Sequence, residues 1–141
     1  MNYLLDTCVI SEVIKPRPSR RVISWLKKQD ENSLYISVLT LGEIHKGIEK
    51  IGDAARKKKL HLWVENDLLD RFSGRILQID SRVATVWGQV QGKAELEGQA
   101  MPAIDGLIAA TGLAYDMVVV TRNTSDMRAS KVALFNPWHK Q

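Results

Sequence analysis

Asp6, Glu43 and Asp105 are far apart in the chain, yet each sits at a similar point in the apolar pattern. Asp6 directly follows the apolar run 2–5. Glu43 falls in the first or second turn of a helical pattern that follows the apolar run 34–37. Asp105 falls in the first turn of the helical pattern preceding the apolar run 117–121, and Asn123 and Asp126 come just after that run. Short apolar runs of this kind read as buried strands. In an open parallel sheet, residues just past strand ends gather at one end of the sheet. If the strands carrying these groups are neighbours, the groups converge there.

A converging set of carboxylates has a definite chemistry. Two like charges ~4 Å apart repel by roughly 4 kcal/mol at an effective dielectric of ~20. Three or four of them would strain a fold whose whole stability is ~5–15 kcal/mol. Such a cluster persists with raised pKa values or with a bound cation. All-oxygen donors suit hard ions, Mg²⁺ or Mn²⁺. Mg²⁺ keeps several of its waters, and one of these can attack phosphorus in line. Taken singly, Asp6 also suits a helix cap, Asp105 a favourable charge at a helix N-terminus, and Glu43 a solvated helix face.

The elements that must position these groups alternate. Residues 2–5 form a strand, followed by a helix capped by Thr7 and running to about Lys15, where Pro16 and Pro18 break it. Ser19 caps a second helix. Residues 34–37 are a strand, followed by a helix from about Thr40 to Ile51, with Gly52 as its stop. Asp53 caps a helix to about Phe72, in which Leu60, Val64, Leu68 and Phe72 recur at four-residue steps. Residues 75–79 are a third strand, and Ser81 caps the helix after it. Asp80 belongs to that strand-to-helix turn. Pro102 opens a helix to Tyr115, residues 117–121 are a fourth strand, and a last one lies near Leu134 and Phe135. Strand and helix in alternation imply βαβ units and a parallel sheet, hence an α/β fold.

The 141 residues, 45% apolar, suit one domain spanning 1–141 with a packed core. Lys and Arg outnumber Asp and Glu by 20 to 16, a surplus that permits a nucleic-acid partner without requiring one. Cys8 is the sole cysteine, which excludes an intrachain disulfide and a cysteine zinc site; it reads as a buried small hydrophobe. The N-terminus lacks a basic leader, and no run approaches the ~20 apolar residues of a membrane helix. A cytoplasmic protein without membrane contact is expected.

The residues around the acids carry a resemblance. Asn2-Tyr-Leu-Leu-Asp-Thr-Cys-Val-Ile-Ser-Glu12, Ser37-Val-Leu-Thr-Leu-Gly-Glu-Ile44, Ile104-Asp-Gly-Leu-Ile-Ala-Ala110 and Val120-Thr-Arg-Asn123 resemble the PIN-domain family. They look most like its VapC-type toxin ribonucleases, and the closing Phe135-Asn-Pro-Trp-His139 is similar to FitB-like members. The resemblance implies an α/β/α sandwich whose parallel sheet of four to five strands runs in the order 3-2-1-4-5. It implies a Mg²⁺- or Mn²⁺-dependent endoribonuclease, acting as the toxin of a type II toxin–antitoxin module. It also implies a homodimer and a VapB-like antitoxin through which the complex binds DNA. Asp6, Glu43 and Asp105 match the first three family acids, and Thr7 and Thr121 match hydroxyl positions lining the site. The fourth acid falls at position 123, where this chain has Asn. Either Asn123 lends an amide oxygen or Asp126 supplies the missing carboxylate. The first is the reading adopted, because Thr124-Ser125-Asp126 looks like a helix start whose side chains act as caps.

Arg122 beside the site, and Lys15, Arg17, Arg20 and Arg21 in the Pro-broken loop, are candidate phosphate contacts. Lys57 to Lys59 read as a solvated helix face. His45, His61 and His139 share no ligand spacing, and the four Trp read as core or interface. Two other functions compete with the nuclease. A catalytically inactive PIN fold could act as a binding module in a DNA-bound regulatory complex. A receiver-like phosphoacceptor also clusters acids, but it needs an acceptor Asp after its third strand, where the only Asp is Asp80, and a Lys after its fifth, and no such Lys is evident near Phe135. A dinucleotide site lacks its Gly-rich turn.

Overall fold

The computed structural model describes residues 1–140. Five parallel strands form one sheet: β1 (Tyr3–Leu5), β2 (Leu34–Ser37), β3 (Ile76–Leu77), β4 (Val118–Val120) and β5 (Leu134–Phe135), in the order β3-β2-β1-β4-β5. This is the order that the family resemblance implied. Tyr3 sits beside Leu34 on one side and Val118 on the other, so β1 is central. The helices are α1 (Thr7–Val13), α2 (Arg20–Lys28), α3 (Val38–Glu49), α4 (Ala54–Trp63), α5 (Ser81–Leu96), α6 (Ala103–Ala114) and α7 (Thr124–Met127).

Consecutive strand residues point to opposite faces, and both faces are covered. Leu5 and Val120 join a core with Val9, Val22, Ile36, Ile44 and Phe72, on the side of α1 to α4. Leu4 and Val119 join another with Ile108, Met117 and Met127, on the side of α6 and α7. The sheet is therefore the middle of three layers. Gly112 sets the spacing of the second face: a Cβ there would lie 2.7 Å from Val119 Cγ2, so α6 packs on β4 only because this residue has no side chain.

The element ends differ from the sequence reading where a neighbouring polar residue wins the cap. Asp6, not Thr7, caps α1, its carboxylate accepting the Thr7 N–H. Asp80, not Ser81, caps α5 by accepting from Val83 N. Ser37 caps α3, which therefore starts two residues earlier than expected, and α3 ends at Glu49 before Gly52 is reached. The third strand is two residues rather than five, a short edge with little backbone to pair. α4 continues through a π-helical turn (Val64–Leu68) into a last turn (Leu69–Arg71). Four-residue steps advance by roughly 40° each around a 3.6-residue helix. The wider turn takes back part of that drift and keeps Val64, Leu68 and Phe72 all buried.

Candidate active site

The sheet brings the predicted carboxylates to one end. Asp6 leaves β1 with its backbone fixed: its N–H donates to Val120 O at 2.9 Å, and its own carbonyl accepts from Val9 N. Its side chain is buried, 3% exposed. Oδ1 accepts the Thr7 N–H at 2.8 Å, and Oδ2 accepts the Thr121 hydroxyl at 2.7 Å. Capping α1 and meeting β4 thus point one carboxylate in one direction.

Thr7, freed from capping, uses its side chain elsewhere. Its hydroxyl donates to Glu43 Oε1 at 2.6 Å and lies 3.1 Å from Thr40 Oγ1. This ties α1 to α3 and fixes Glu43 beside Asp6. Thr121 is equally committed, donating to Asp6 and accepting the Asn123 N–H at 2.9 Å. Asp105 stands in the first turn of α6. Behind it, Gly106 lies against the Trp87 ring, where a Cβ would come within 3.3 Å of Nε1.

The electrostatics show the convergence. Burial first, and then the charges of Asp6, Asp126 and Glu43, together lift the Asp105 carboxyl from 3.8 to about 6. Burial also raises Asp6, with Glu43 adding to it, against hydrogen bonds from Thr121, Thr7 and Cys8. Asp105 on α6 is therefore within reach of three other carboxylates, from the end of β1, α3 and α7, and Asp6 is within reach of Glu43. Asp126 is one of them, whereas Asn123 caps α7 without a side-chain hydrogen bond. Asp126 is not the side-chain cap read from the sequence, since α7 has no side-chain cap hydrogen bond; it instead bears on Asp105. Among the described residues, no three His, Cys, Asp or Glu side chains close tightly enough to enclose an ion.

Three residues at or near this site went unassigned in the sequence or were read differently. Cys8 is half-buried rather than a plain core residue. Its Sγ lies 3.8 Å from Asp6 Oδ2 and 3.6 Å from Thr121 Oγ1, and it accepts the Arg122 N–H at 3.4 Å. Burial and the Asp6 charge push its thiol pKa up. Thr40 is fully buried beside Thr7. Glu12, 4% exposed, accepts from Ser19 N at 2.8 Å and Lys15 Nζ at 3.0 Å, and it faces Arg122 at 3.6 Å. Burial opposes its charge, but these bonds and the Trp138 ring N–H outweigh it and hold its pKa below the ordinary value. Spacing signals only local contacts, so a carboxylate that gathers residues 15, 19, 122 and 138 leaves no periodic trace. Asp80 lies elsewhere, at the β3 edge, where it accepts the Tyr115 hydroxyl.

The family model for the PIN domain matches residues 3–132. Toxin FitB of Neisseria gonorrhoeae (strain ATCC 700825 / FA 1090) is 40% identical over 136 residues, which are 96% of this chain and 98% of the relative. The VapC ribonuclease Y4jK of Sinorhizobium fredii (strain NBRC 101917 / NGR234) is 33% identical over 135 residues, 96% of each chain. A solved structure of FitAB bound to IR36 DNA fragment superposes with a TM-score of 0.93 at 40% identity, covering 99% of this chain and 97% of that one.

Proposed function

The chain belongs to the PIN-domain family, and on that premise we propose that it is a metal-dependent endoribonuclease, the toxin of a type II toxin–antitoxin pair. The observation that carries the reading is the convergence of Asp6, Glu43 and Asp126 on half-buried Asp105, whose carboxyl is lifted to about 6 by burial first and by their charges after it. A fold gains no stability from bringing Asp6, Glu43 and Asp126 up to Asp105 at one end of its sheet. A relative named as a ribonuclease supports RNA as the substrate, and one named as a toxin supports the biological role.

The donor set fits Mg²⁺ or Mn²⁺: oxygen only, anionic, and with one carboxyl whose proton is easily lost. Asp6, Glu43 and Asp105 would hold the ion, with Asp126 rather than Asn123 as the fourth anionic group. When bound, the ion would polarise a phosphate oxygen and make a water more acidic. The residues of the chain supply orientation. Thr121 and Thr7 N hold both oxygens of Asp6, and the Thr7 hydroxyl holds Glu43. Burial and the neighbouring charges favour the protonated form of the Asp105 carboxyl, and a bound cation would favour the ionised one. The antitoxin partner, DNA binding through it, and the homodimer belong to the same proposal; the DNA-bound FitAB structure supports the first two.

Incubating the purified protein with single-stranded RNA in Mg²⁺ buffer tests the activity. Wild type should produce fragments, while Asp105→Asn, still folded, should not. Full cleavage by Asp105→Asn would sink the assignment.

A further inference from the structure

Beyond the carboxylates, the segment 136–138 is fastened next to the site in a way that catalysis alone does not explain. Trp138 is the anchor. Its ring lies under the Arg122 guanidinium at 4.3 Å, its Nε1–H donates to Glu12 Oε1 at 3.4 Å, and its carbonyl accepts from Arg21 at 3.3 Å. Its own N–H is held by Asn136 Oδ1 at 2.9 Å. Glu12 binds the other end of the arrangement through Ser19 N, Lys15 and Arg122.

The exposures are unequal. The Glu12 side chain is 5% exposed and that of Arg122 is 51% exposed. The carboxylate is turned inward, so it fixes the guanidinium without presenting its own charge to solvent. Arg122 in turn is next to the acids, its N–H meeting the Cys8 sulfur that faces Asp6. From Trp138 the positive surface continues. Arg20, Arg21, Lys28 and Lys140 line a cleft of about 290 Å³, and no carboxylate is among the described residues lining it.

We propose that Arg122 and Arg21, both tied to Trp138, form a ledge that grips phosphates of RNA on one side of the carboxylates, with buried Glu12 as the residue that positions it. The proposal rests on the RNA-cleaving reading above. RNA leaving the acids meets Arg122 first, then Arg21 and the cleft. A planar guanidinium fixed by a ring below and a carboxylate behind keeps its outward N–H groups for a phosphate. The rim is cationic where the centre is anionic, as a polyanion cut at a single phosphodiester requires.

The test uses the full chain carrying Glu43→Gln, so that RNA binds without being cut, and a labelled single-stranded uridine oligonucleotide. Dissociation constants are measured over a range of salt concentrations. Each phosphate contact to a single strand contributes about 0.7 to the slope of log K against log salt. Arg122→Gln and Arg21→Gln should each lower the slope by about that amount, whereas Lys58→Gln on α4 should not. In the protein with Glu43 intact, Trp138→Ala and Glu12→Gln should raise KM several-fold with kcat within about twofold, and Trp138→Phe should restore KM. Slopes unchanged in both arginine variants overturn the ledge, and if the same variants instead lose binding of poly-glutamate, the surface belongs to an acidic protein partner. A fall in kcat with KM unchanged in Trp138→Ala also overturns it. If the Glu43-intact protein cuts RNA while the slopes do not move, only the ledge fails; if it does not cut RNA, the nuclease reading fails as well.

Discussion

Replacing Asp105 by Asn should make the metal-free protein more stable, and only at the pH values where Asp105 would be ionised. Its carboxyl is lifted from 3.8 to about 6, first by burial and then by Asp6, Asp126 and Glu43. Below pH 3.8 the group is protonated in folded and unfolded chains alike and contributes nothing. Between 3.8 and about 6 the unfolded chain ionises while the folded one resists, so folding stability falls as pH rises. Above about pH 6 the loss is complete. Expressed in full, that gap would be ~3 kcal/mol. The carboxyl is partly exposed, and solvent screening cuts the figure to roughly 1–2 kcal/mol. For a chain of this size the corresponding gain in Tm is ~3–6 °C. The assay is thermal unfolding of wild type and Asp105→Asn in chelator from about pH 4 to 8. The two should melt together at the acid end and separate through pH 5 to 7, with the mutant higher. A separation that does not change with pH, or a less stable mutant at neutral pH, would refute the electrostatic reasoning. Millimolar Mn²⁺ should then raise the wild type, by ~2.7 kcal/mol at a hundredfold excess over Kd, and raise the mutant less.

Thr7→Val removes the hydroxyl that holds Glu43 at 2.6 Å and should weaken Mn²⁺ binding about 10–100-fold, as loss of a partner behind a ligand commonly does; Thr7→Ser should keep most of it, as titration of the two variants will show. Asp126→Ala should lower the Asp105 pKa and weaken Mn²⁺ binding, while Asn123→Ala should change both little, measured by NMR titration of the carboxyl and by metal titration. Gly112→Ala pushes a methyl within 2.7 Å of Val119 Cγ2 and should cost ~1–3 kcal/mol in denaturant unfolding with the site chemistry intact.

The alternation of strand and helix and the positions of the three acids were readable in the apolar pattern, because Asp6 directly follows an apolar run and Glu43 and Asp105 lie in the early turns of helices; the strand order came only from the family resemblance. What the sequence left open is side-chain allegiance. Asp6 and Thr7 are both good caps; the structure gives the cap to Asp6, and that choice frees the Thr7 hydroxyl for Glu43. No periodicity distinguishes the two. Asp126 reads locally as a capping residue, and its influence on Asp105 arises only when α7 folds against α6. Cys8 looks like a core residue because its neighbours Val9 and Ile10 are, yet the first turn of α1 turns its sulfur toward Asp6 and Thr121. Glu12 partners residues up to 126 positions away, a relation carried by tertiary packing alone. β3 shrinks to two residues because only Ile36 and Ser37 of β2 find partners there.

The central claim is that these carboxylates hold a divalent cation and that RNA cleavage depends on it. Mn²⁺ titrated into metal-stripped protein, with free Mn²⁺ followed by electron paramagnetic resonance and RNA cleavage measured in the same samples, tests it most directly. Cleavage should be absent in chelator, binding and activity should rise together, and Glu43→Ala should show neither at the same metal concentrations. Cleavage undiminished in chelator, or Glu43→Ala binding Mn²⁺ as tightly as wild type, would contradict it.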